Sequence, residues 1–184
     1  PEDGPIHRDS MNFIGPKVVW GLRESAWQRE GFTGRAPTDR PFFQPVSLDP
    51  RQARLLISLA HRAGVESTTV VDPFCGTGGI VIEAALQGLE ALASDLDGRM
   101  VEGTRQNLDW AGVSASVEIS AVADVASVWG ERSGCIFAFD PPYGRSSWKS
   151  GDGLELLLEA MSAAHQIDSQ GAVCTMLPAD PETL

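Results

Sequence analysis

Lysine is scarce in this sequence, and the excess of acidic residues is unevenly placed. The chain has two lysines, Lys17 and Lys149, and a formal net charge of −11. Residues 1–48 hold six basic and six acidic side chains, so residues 49–184 supply the whole excess of acid. A protein that captures nucleic acid by itself normally presents a basic face. The larger part of the chain therefore lacks the charge of an autonomous nucleic-acid-binding domain.

Long apolar runs and paired cysteines are also missing. No run of about 18 apolar residues exists, which excludes a membrane-spanning helix, and the first residues show no signal-peptide pattern. The three cysteines are scattered through apolar stretches at Cys75, Cys135 and Cys174. Their odd number and spacing predict a reducing, cytoplasmic environment and no metal site. With 184 residues and 42% hydrophobic residues, the chain can form one domain with a short appendage.

From residue 49 onward, apolar strands alternate with amphipathic helices. We predict strands at 68–72, 90–94, 115–119, 135–139 and 172–177, with helices at 50–63, 78–87, 97–111, 125–129 and 153–166. In the last helix, we expect an inward face made of Leu154, Leu157, Leu158 and Met161. This alternation predicts an α/β fold with a doubly wound, mostly parallel sheet over residues 49–184. Residues 1–48 form a lead-in in this interpretation, with a loop over 1–16 and a short strand at 17–22.

A glycine-rich turn follows the first strand of that sheet. Residues 72–79 read DPFCGTGG, which is typical of the opening of a nucleotide-binding α/β unit. Gly76 and Gly78 can take positive φ and let a ligand approach the backbone. Val81 replaces the third glycine of a dinucleotide fingerprint, and no Lys-Ser/Thr pair follows, which excludes a nucleoside triphosphatase loop. Nearby acids favour a cationic or neutral nucleoside without phosphate, such as S-adenosylmethionine.

Acidic residues follow four successive predicted strands, namely Asp72, Asp95, Asp124 and Asp140. The carboxyl ends of parallel strands share one edge of the sheet, where ligands gather. Asp95 is placed to accept hydrogen bonds from both ribose hydroxyls. Asp124 is either an acceptor for an adenine amino group or an acid of a surface loop, and both interpretations stay open.

The DPPY stretch at 140–143 indicates the chemistry. Its two prolines remove two N–H donors and leave carbonyl oxygens directed outward. The Asp140 carboxylate and the Pro141 carbonyl can accept both N–H bonds of an exocyclic amine, which aims its lone pair at a methyl group. Tyr143 offers a flat surface on which the base can stack. The structural alternative is a proline-rich turn after a core strand.

Together these stretches resemble the amino-methylating S-adenosylmethionine-dependent methyltransferases. The relevant sequences are DPFCGTGG at 72–79, SDLDGRMVEG at 94–103 and DPPYGRS at 140–146. The chain resembles most closely the archaeal-type tRNA guanosine-10 N2-methyltransferases, because RPFFQPVS at 40–47 matches that family's segment ahead of the fold. The resemblance covers about residues 40–178. It implies a Rossmann-like methyltransferase fold, S-adenosylmethionine as cofactor and methylation of a guanine N2 amine in tRNA.

The resemblance also implies roles for individual residues. Cofactor-binding positions would be Phe43, Pro45, Ser47, Asp72, Phe74, Gly76, Thr77, Gly78, Asp95 and Asp124. Catalytic positions would be Asp140, Pro141 and Tyr143, with no metal. The family carries an RNA-binding module of the THUMP type and two strands after the fifth. We therefore expect a catalytic-domain fragment truncated after strand 5, tRNA captured through a module absent from this chain, and a small activating protein partner as in related eukaryotic enzymes.

Other functions share part of this pattern. N6-adenine methylation of DNA uses the same DPPY logic on a flipped base, and guanine-N2 methylation of ribosomal RNA differs only in the substrate. A non-catalytic scaffold with this fold tends to lose the glycines or the catalytic acid, and both are intact here. A nicotinamide dehydrogenase is disfavoured by Val81 and by the lack of a histidine near the strand ends.

Overall fold

The chain forms two compact units, residues 1–33 and 34–184, in a computed structural model. The structure describes residues 9–14, 17–22, 29–45, 47–61, 67–142 and 152–176. In the first unit, β1 (Asp9–Ile14) pairs antiparallel with β2 (Lys17–Leu22), and a 3-10 turn follows at Arg29–Phe32. The predicted strand at 17–22 is confirmed. The predicted loop over 1–16 is wrong for residues 9–14, because β2 offers them a full backbone ladder in which Asp9 faces Leu22.

The second unit is built on a parallel five-stranded sheet. Its strands are β3 (Thr69–Asp72), β4 (Glu90–Asp95), β5 (Ser116–Ile119), β6 (Cys135–Phe139) and β7 (Ala172–Thr175). They lie in the order β5-β4-β3-β6-β7, and every pair is parallel. The predicted α/β fold with a parallel sheet is thus confirmed. The chain winds from β3 outward to β5 and returns to β6, so the topological switch point lies between β3 and β6.

Five α-helices accompany this sheet within the described residues. They are α1 (Pro50–His61), α2 (Gly79–Ala85), α3 (Gly98–Ala111), α4 (Val125–Trp129) and α5 (Asp152–Ile167), with 3-10 turns at Pro37–Asp39 and Val122–Asp124. The Asp97 side chain accepts a hydrogen bond from the Arg99 N–H and begins α3. Gly112, with φ +67°, ends it. Across the described parts of the chain, no helix has the length and apolar character of a membrane span.

The core lies on both faces of the sheet. All five residues of β6 are buried, as expected for a central parallel strand. Because side chains alternate along a strand, Ile136 belongs to the cluster under α1, α2 and α3, whereas Phe137 and Phe139 belong to the cluster under α4 and α5. Both faces of the strands that carry the conspicuous acids are therefore covered.

Helix α5 turns a different face to the sheet than its leucines suggest. Leu154, Leu158 and Met161 are 47%, 58% and 44% exposed, so the predicted inward face is wrong for all three, and Leu157 is only partly buried. The buried face instead consists of small residues and one isoleucine: Ala160, Ala163, Ala164 and Ile167. The two large rings of β6 already occupy the space on this face of the sheet. Alanines therefore fill the remaining gap between helix and sheet without overpacking.

The segment ahead of α1 is fixed to the helices of this unit by a buried carboxylate. Glu83 on α2 is 1% exposed and pairs with Arg35 at 3.0 Å and with Arg54 of α1 at 2.7 Å. Arg40, which is 5% exposed, donates to the Leu48 carbonyl at 3.4 Å. These contacts hold the chain between residues 35 and 48 beside the two helices.

Candidate functional site

Three of the predicted acids meet at the carboxyl edge of the sheet. Asp72 and Asp95 end β3 and β4, and Asp140 follows β6 directly. Asp72 and Asp140 flank the switch point. Burial raises the pKa of Asp72, and charge repulsion from Asp95 and Asp140 adds to this shift. Asp124 ends the 3-10 turn after β5 and is exposed. The sheet thus brings Asp72, Asp95 and Asp140 together.

Asp72 is the most buried of these carboxyl groups. It is 1% exposed, and its Oδ1 accepts a hydrogen bond from the Phe74 N–H at 3.0 Å. Burial raises its pKa to about 8, a shift that the Phe74 N–H opposes and that the neighbouring acids increase. The carboxyl group is therefore largely protonated at neutral pH in the free protein. A cation at this edge favours its ionised form, so the site is suited to a positively charged ligand.

Asp95 holds the glycine turn from the side. Its Oδ2 accepts from the Gly76 N–H at 2.9 Å, and its Oδ1 accepts from the Asp97 N–H at 2.9 Å. Each carboxylate oxygen has more than one acceptor position, so both can accept a further hydrogen bond. The side chain is only partly buried. This geometry fits the predicted role as acceptor for a pair of hydroxyl groups.

The glycine turn itself needs glycine for two physical reasons. Gly76 and Gly78 have φ values of +51° and +82°, which other residues rarely adopt. At Gly78 a Cβ atom would also lie 2.9 Å from Cγ2 of Thr104 on α3. The Thr104 hydroxyl donates to the Gly76 carbonyl at 2.9 Å, and the Cys75 N–H donates to the Ser94 carbonyl at 2.9 Å. The turn is therefore held in shape without a ligand.

The lead-in reaches the glycine turn at Ser47. The Thr77 hydroxyl donates to the Ser47 hydroxyl at 2.9 Å, which in turn accepts from the Gln44 N–H at 3.2 Å. Phe43, 44% exposed, and Pro45 lie on the same segment with their side chains open to solvent. The structure brings Ser47 to the turn and leaves the other two available to a ligand.

The residues of the DPPY stretch lie beside this turn up to Pro142. Asp140 is partly buried, and burial raises its pKa, while Pro141 is buried and Pro142 is exposed. Phe74 of the glycine turn packs on Phe139, with ring centroids 5.7 Å apart. Tyr143 lies outside the described residues. Within the described ranges, no three His, Cys, Asp or Glu side chains form a group that could hold a metal ion.

Asn107 on α3 is a site residue that sequence reasoning missed. It is 0% exposed and donates to the Thr77 carbonyl at 2.8 Å and to the Phe42 carbonyl at 2.9 Å. It also accepts from the Phe42 N–H at 2.9 Å. A signal was present in the sequence, because Asn107 lies at helical spacing from Thr104 and beside Leu108, and both of these residues are buried. A polar side chain on such a buried helix face must find buried partners.

Comparison with known proteins places this chain in a family. The family model of the RMKL-like methyltransferase domain matches residues 37–183. The tRNA (guanine(10)-N2)-dimethyltransferase of Methanothermobacter thermautotrophicus is 36% identical over 168 residues, which cover 90% of this chain and 48% of that protein. The tRNA (guanine(10)-N2)-dimethyltransferase of Pyrococcus abyssi is 33% identical over 173 residues, which cover 94% of this chain and 51% of that protein. The chain spans about half the length of these curated relatives.

Structural comparison agrees at the level of the fold. The crystal structure of TrmN from Thermus thermophilus matches with a TM-score of 0.59 and 21% sequence identity, covering 97% of this chain and 52% of that chain. The family resemblance drawn from the glycine turn, the SDLD stretch and the DPPY stretch is confirmed by the match to the domain and to the curated relatives. The chain belongs to the RMKL-like methyltransferase domain family.

Proposed function

We propose that this chain is the catalytic part of an S-adenosylmethionine-dependent methyltransferase that modifies the N2 amine of a guanine in tRNA, at position 10. The observation that carries the proposal is the cluster of Asp72, Asp95 and Asp140 around a preformed glycine turn. This edge offers hydrogen-bond acceptors and negative charge, which suit a sulfonium nucleoside and repel phosphates. The names of the relatives that are about a third identical support guanine in tRNA as the substrate.

In this proposal the edge of the sheet holds the cofactor. Asp95 accepts from the ribose hydroxyls, and Asp72 balances the positive charge of the ligand. Gly76 and Gly78 allow close approach to the backbone, with Phe74 and Thr77 beside them. At the methionine end of the cofactor, further contacts come from the lead-in residues Phe43, Pro45 and Ser47. Asp124 lies near the adenine. When bound, S-adenosylmethionine supplies an electrophilic methyl group.

The DPPY stretch then prepares the amine. The Asp140 carboxylate and the Pro141 carbonyl accept hydrogen bonds from the two N–H groups of the amine, while Tyr143 stacks on the base. As the bond between the amine nitrogen and the methyl carbon forms, the S–C bond of the bound cofactor would break and leave a neutral thioether. The amine becomes positively charged and must lose a proton. Burial raises the pKa of Asp140, so this carboxylate is a better proton acceptor than an exposed aspartate. No metal ion is needed, because the sulfonium charge is lost in the transfer.

The charge distribution bears on how tRNA is captured. Residues 49–184 hold 8 basic and 19 acidic side chains, which disfavours phosphate binding by this part alone. We propose that tRNA is captured mainly by parts of the full-length protein beyond this chain. From the family resemblance we also propose a small activating protein partner. The free thiols of Cys75, Cys135 and Cys174 favour a reducing compartment, the cytoplasm.

The experiment is methylation by the full-length protein. Methyl-labelled S-adenosylmethionine and unmodified tRNA are incubated with it, and the digested nucleosides are identified by mass spectrometry. We expect N2-methylguanosine or N2,N2-dimethylguanosine. The Asp140→Ala variant should bind the cofactor without producing label, whereas Asp109→Ala, which removes an exposed acid of α3, should behave as wild type. Label in DNA as N6-methyladenine would contradict the RNA substrate, and absence of cofactor binding in calorimetry would indicate a scaffold.

A further inference from the structure

The last residues of the lead-in are attached to the glycine turn at two points. We define the lead-in turn as residues 42–45 and 47. It is closed internally by hydrogen bonds from the Ser47 N–H to the Gln44 carbonyl at 2.9 Å and from the Gln44 N–H to the Ser47 hydroxyl at 3.2 Å. At its far end the Ser47 hydroxyl accepts from Thr77. The lead-in turn carries Phe43 and Pro45 on its exposed side.

Its near end is held by Asn107. This wholly buried amide uses both of its N–H donors, one on the Phe42 carbonyl at 2.9 Å and one on the Thr77 carbonyl at 2.8 Å. Its oxygen accepts from the Phe42 N–H at 2.9 Å. One side chain therefore joins two backbone segments that are far apart in sequence.

Gly103, one helical turn before Asn107, makes room for the ring of Phe42. A Cβ atom at Gly103 would lie 2.0 Å from Cδ1 of Phe42, so the phenyl ring lies directly on the backbone of α3. Glycine inside a helix costs about 1 kcal/mol relative to alanine. Contact with Phe42 explains why glycine is present there. Gly103 and Asn107, at i and i+4 on one face of α3, receive the ring and the backbone of Phe42.

Thr77 is the anchor that both ends share. Phe42 reaches it through Asn107, and Ser47 reaches it directly. Thr77 lies between Gly76 and Gly78, the two positive-φ residues of the glycine turn. A displacement of the lead-in turn therefore displaces the middle of the glycine turn as well.

We propose that Asn107 is a positioning residue for methyl transfer, which fixes the lead-in turn and the glycine turn to each other as two walls of one cofactor site. This inference rests on the proposed function, because it takes the glycine turn as the place where S-adenosylmethionine binds. Asn107 does not contact the reacting atoms in this scheme. It acts through Phe42 and Thr77, whose carbonyl groups lose a buried donor when the amide is removed.

The test combines cofactor affinity with hydrogen exchange in the full-length protein. Asn107→Asp keeps the size of the side chain and the acceptor for the Phe42 N–H but loses both donors. Asn107→Ala removes the whole group, and Gly103→Ala displaces the Phe42 ring by another route. We expect each variant to weaken S-adenosylmethionine binding about 10- to 100-fold in calorimetry, which is the usual size of an indirect coupling between two positions in a protein. The KM for S-adenosylmethionine should rise while that for tRNA stays unchanged.

Leu108→Ala is the matched control. It removes a core side chain next to Asn107, so it lowers stability through the core cluster of α3 rather than through the lead-in turn. At a temperature where all variants are folded, it should bind the cofactor as wild type does. In Asn107→Ala, but not in Leu108→Ala, the amides of Phe42, Gln44 and Ser47 should exchange faster.

Two negative outcomes are distinguishable. If wild type and the Asn107 variants bind S-adenosylmethionine equally well, the positioning role is overturned and the proposed function stays intact. A wild-type protein that binds no S-adenosylmethionine would overturn the proposed function and this role with it.

Discussion

Replacing Asp72 by asparagine should change how the stability of the protein depends on pH. The folded carboxyl group has a pKa of about 8 because it is buried, whereas an unfolded aspartate has a pKa of about 3.9. Between these values the folded protein holds a proton that the unfolded chain has released. The free energy of unfolding therefore falls as pH rises. The contribution is fully present below the unfolded pKa and is lost as pH rises through the folded one.

The size of the effect follows from the same values. From pH 6 to pH 8 the wild-type protein should lose about 2 kcal/mol of unfolding free energy through this group. The amide of the Asp72→Asn variant cannot titrate, yet its side-chain oxygen can still accept the hydrogen bond from the Phe74 N–H. The pH-dependent loss in this variant should therefore be smaller by about 2 kcal/mol.

Urea unfolding at pH 6 and pH 8, followed by circular dichroism, measures the difference. Asp109→Asn serves as the control, because it removes one negative charge from an exposed position of α3 and should keep the wild-type pH dependence. An identical pH dependence in wild type and Asp72→Asn would mean that Asp72 is ionised throughout this range. The reasoning from burial would then be refuted.

Three further predictions concern the turn and its surroundings. Asp95→Ala should weaken cofactor binding by about 1–3 kcal/mol in calorimetry, since hydrogen bonds to a charged group are lost; unchanged affinity would mean that another acid binds the ribose. Gly78→Ala should lower the free energy of unfolding by about 1–3 kcal/mol, because of its positive φ and the contact with Thr104, and a variant as stable as wild type would contradict that geometry. Glu83→Gln should cost about 2–3 kcal/mol in the same assay, because two arginines lose their buried counter-charge, and it should leave kcat unchanged.

The local features of the fold were predictable because local chemistry determines them. The Asp97 cap, the positive φ of Gly112 and the fully buried strand at 135–139 each depend on a few neighbouring residues. The alternation of strands and helices, joined by right-handed crossovers, predicts a doubly wound parallel sheet. The placement of three acids on one edge then follows from the order and direction of the strands.

What could not be predicted depends on contacts between distant segments. Asn107 contacts Phe42, 65 positions away, so its role depends on where the lead-in lies against α3. The orientation of α5 depends on how much volume the β6 rings occupy, which hydrophobic periodicity does not measure. The division of the chain at residue 48 and the individual roles of the site residues stay predictions, and Tyr143 lies outside the described residues.

Helix α5 has a consequence for the way this protein tolerates mutation. On its sheet-facing side, Ala163 and Ala164 share a buried cluster with Phe137 and Phe139, so a larger apolar residue there would push the helix away from the sheet. On its outer side, Leu158 is 58% exposed and can become polar at little cost. In a substitution scan of this helix, alanine-to-leucine changes on the inner side should therefore lower the free energy of unfolding more than leucine-to-glutamate changes on the outer side.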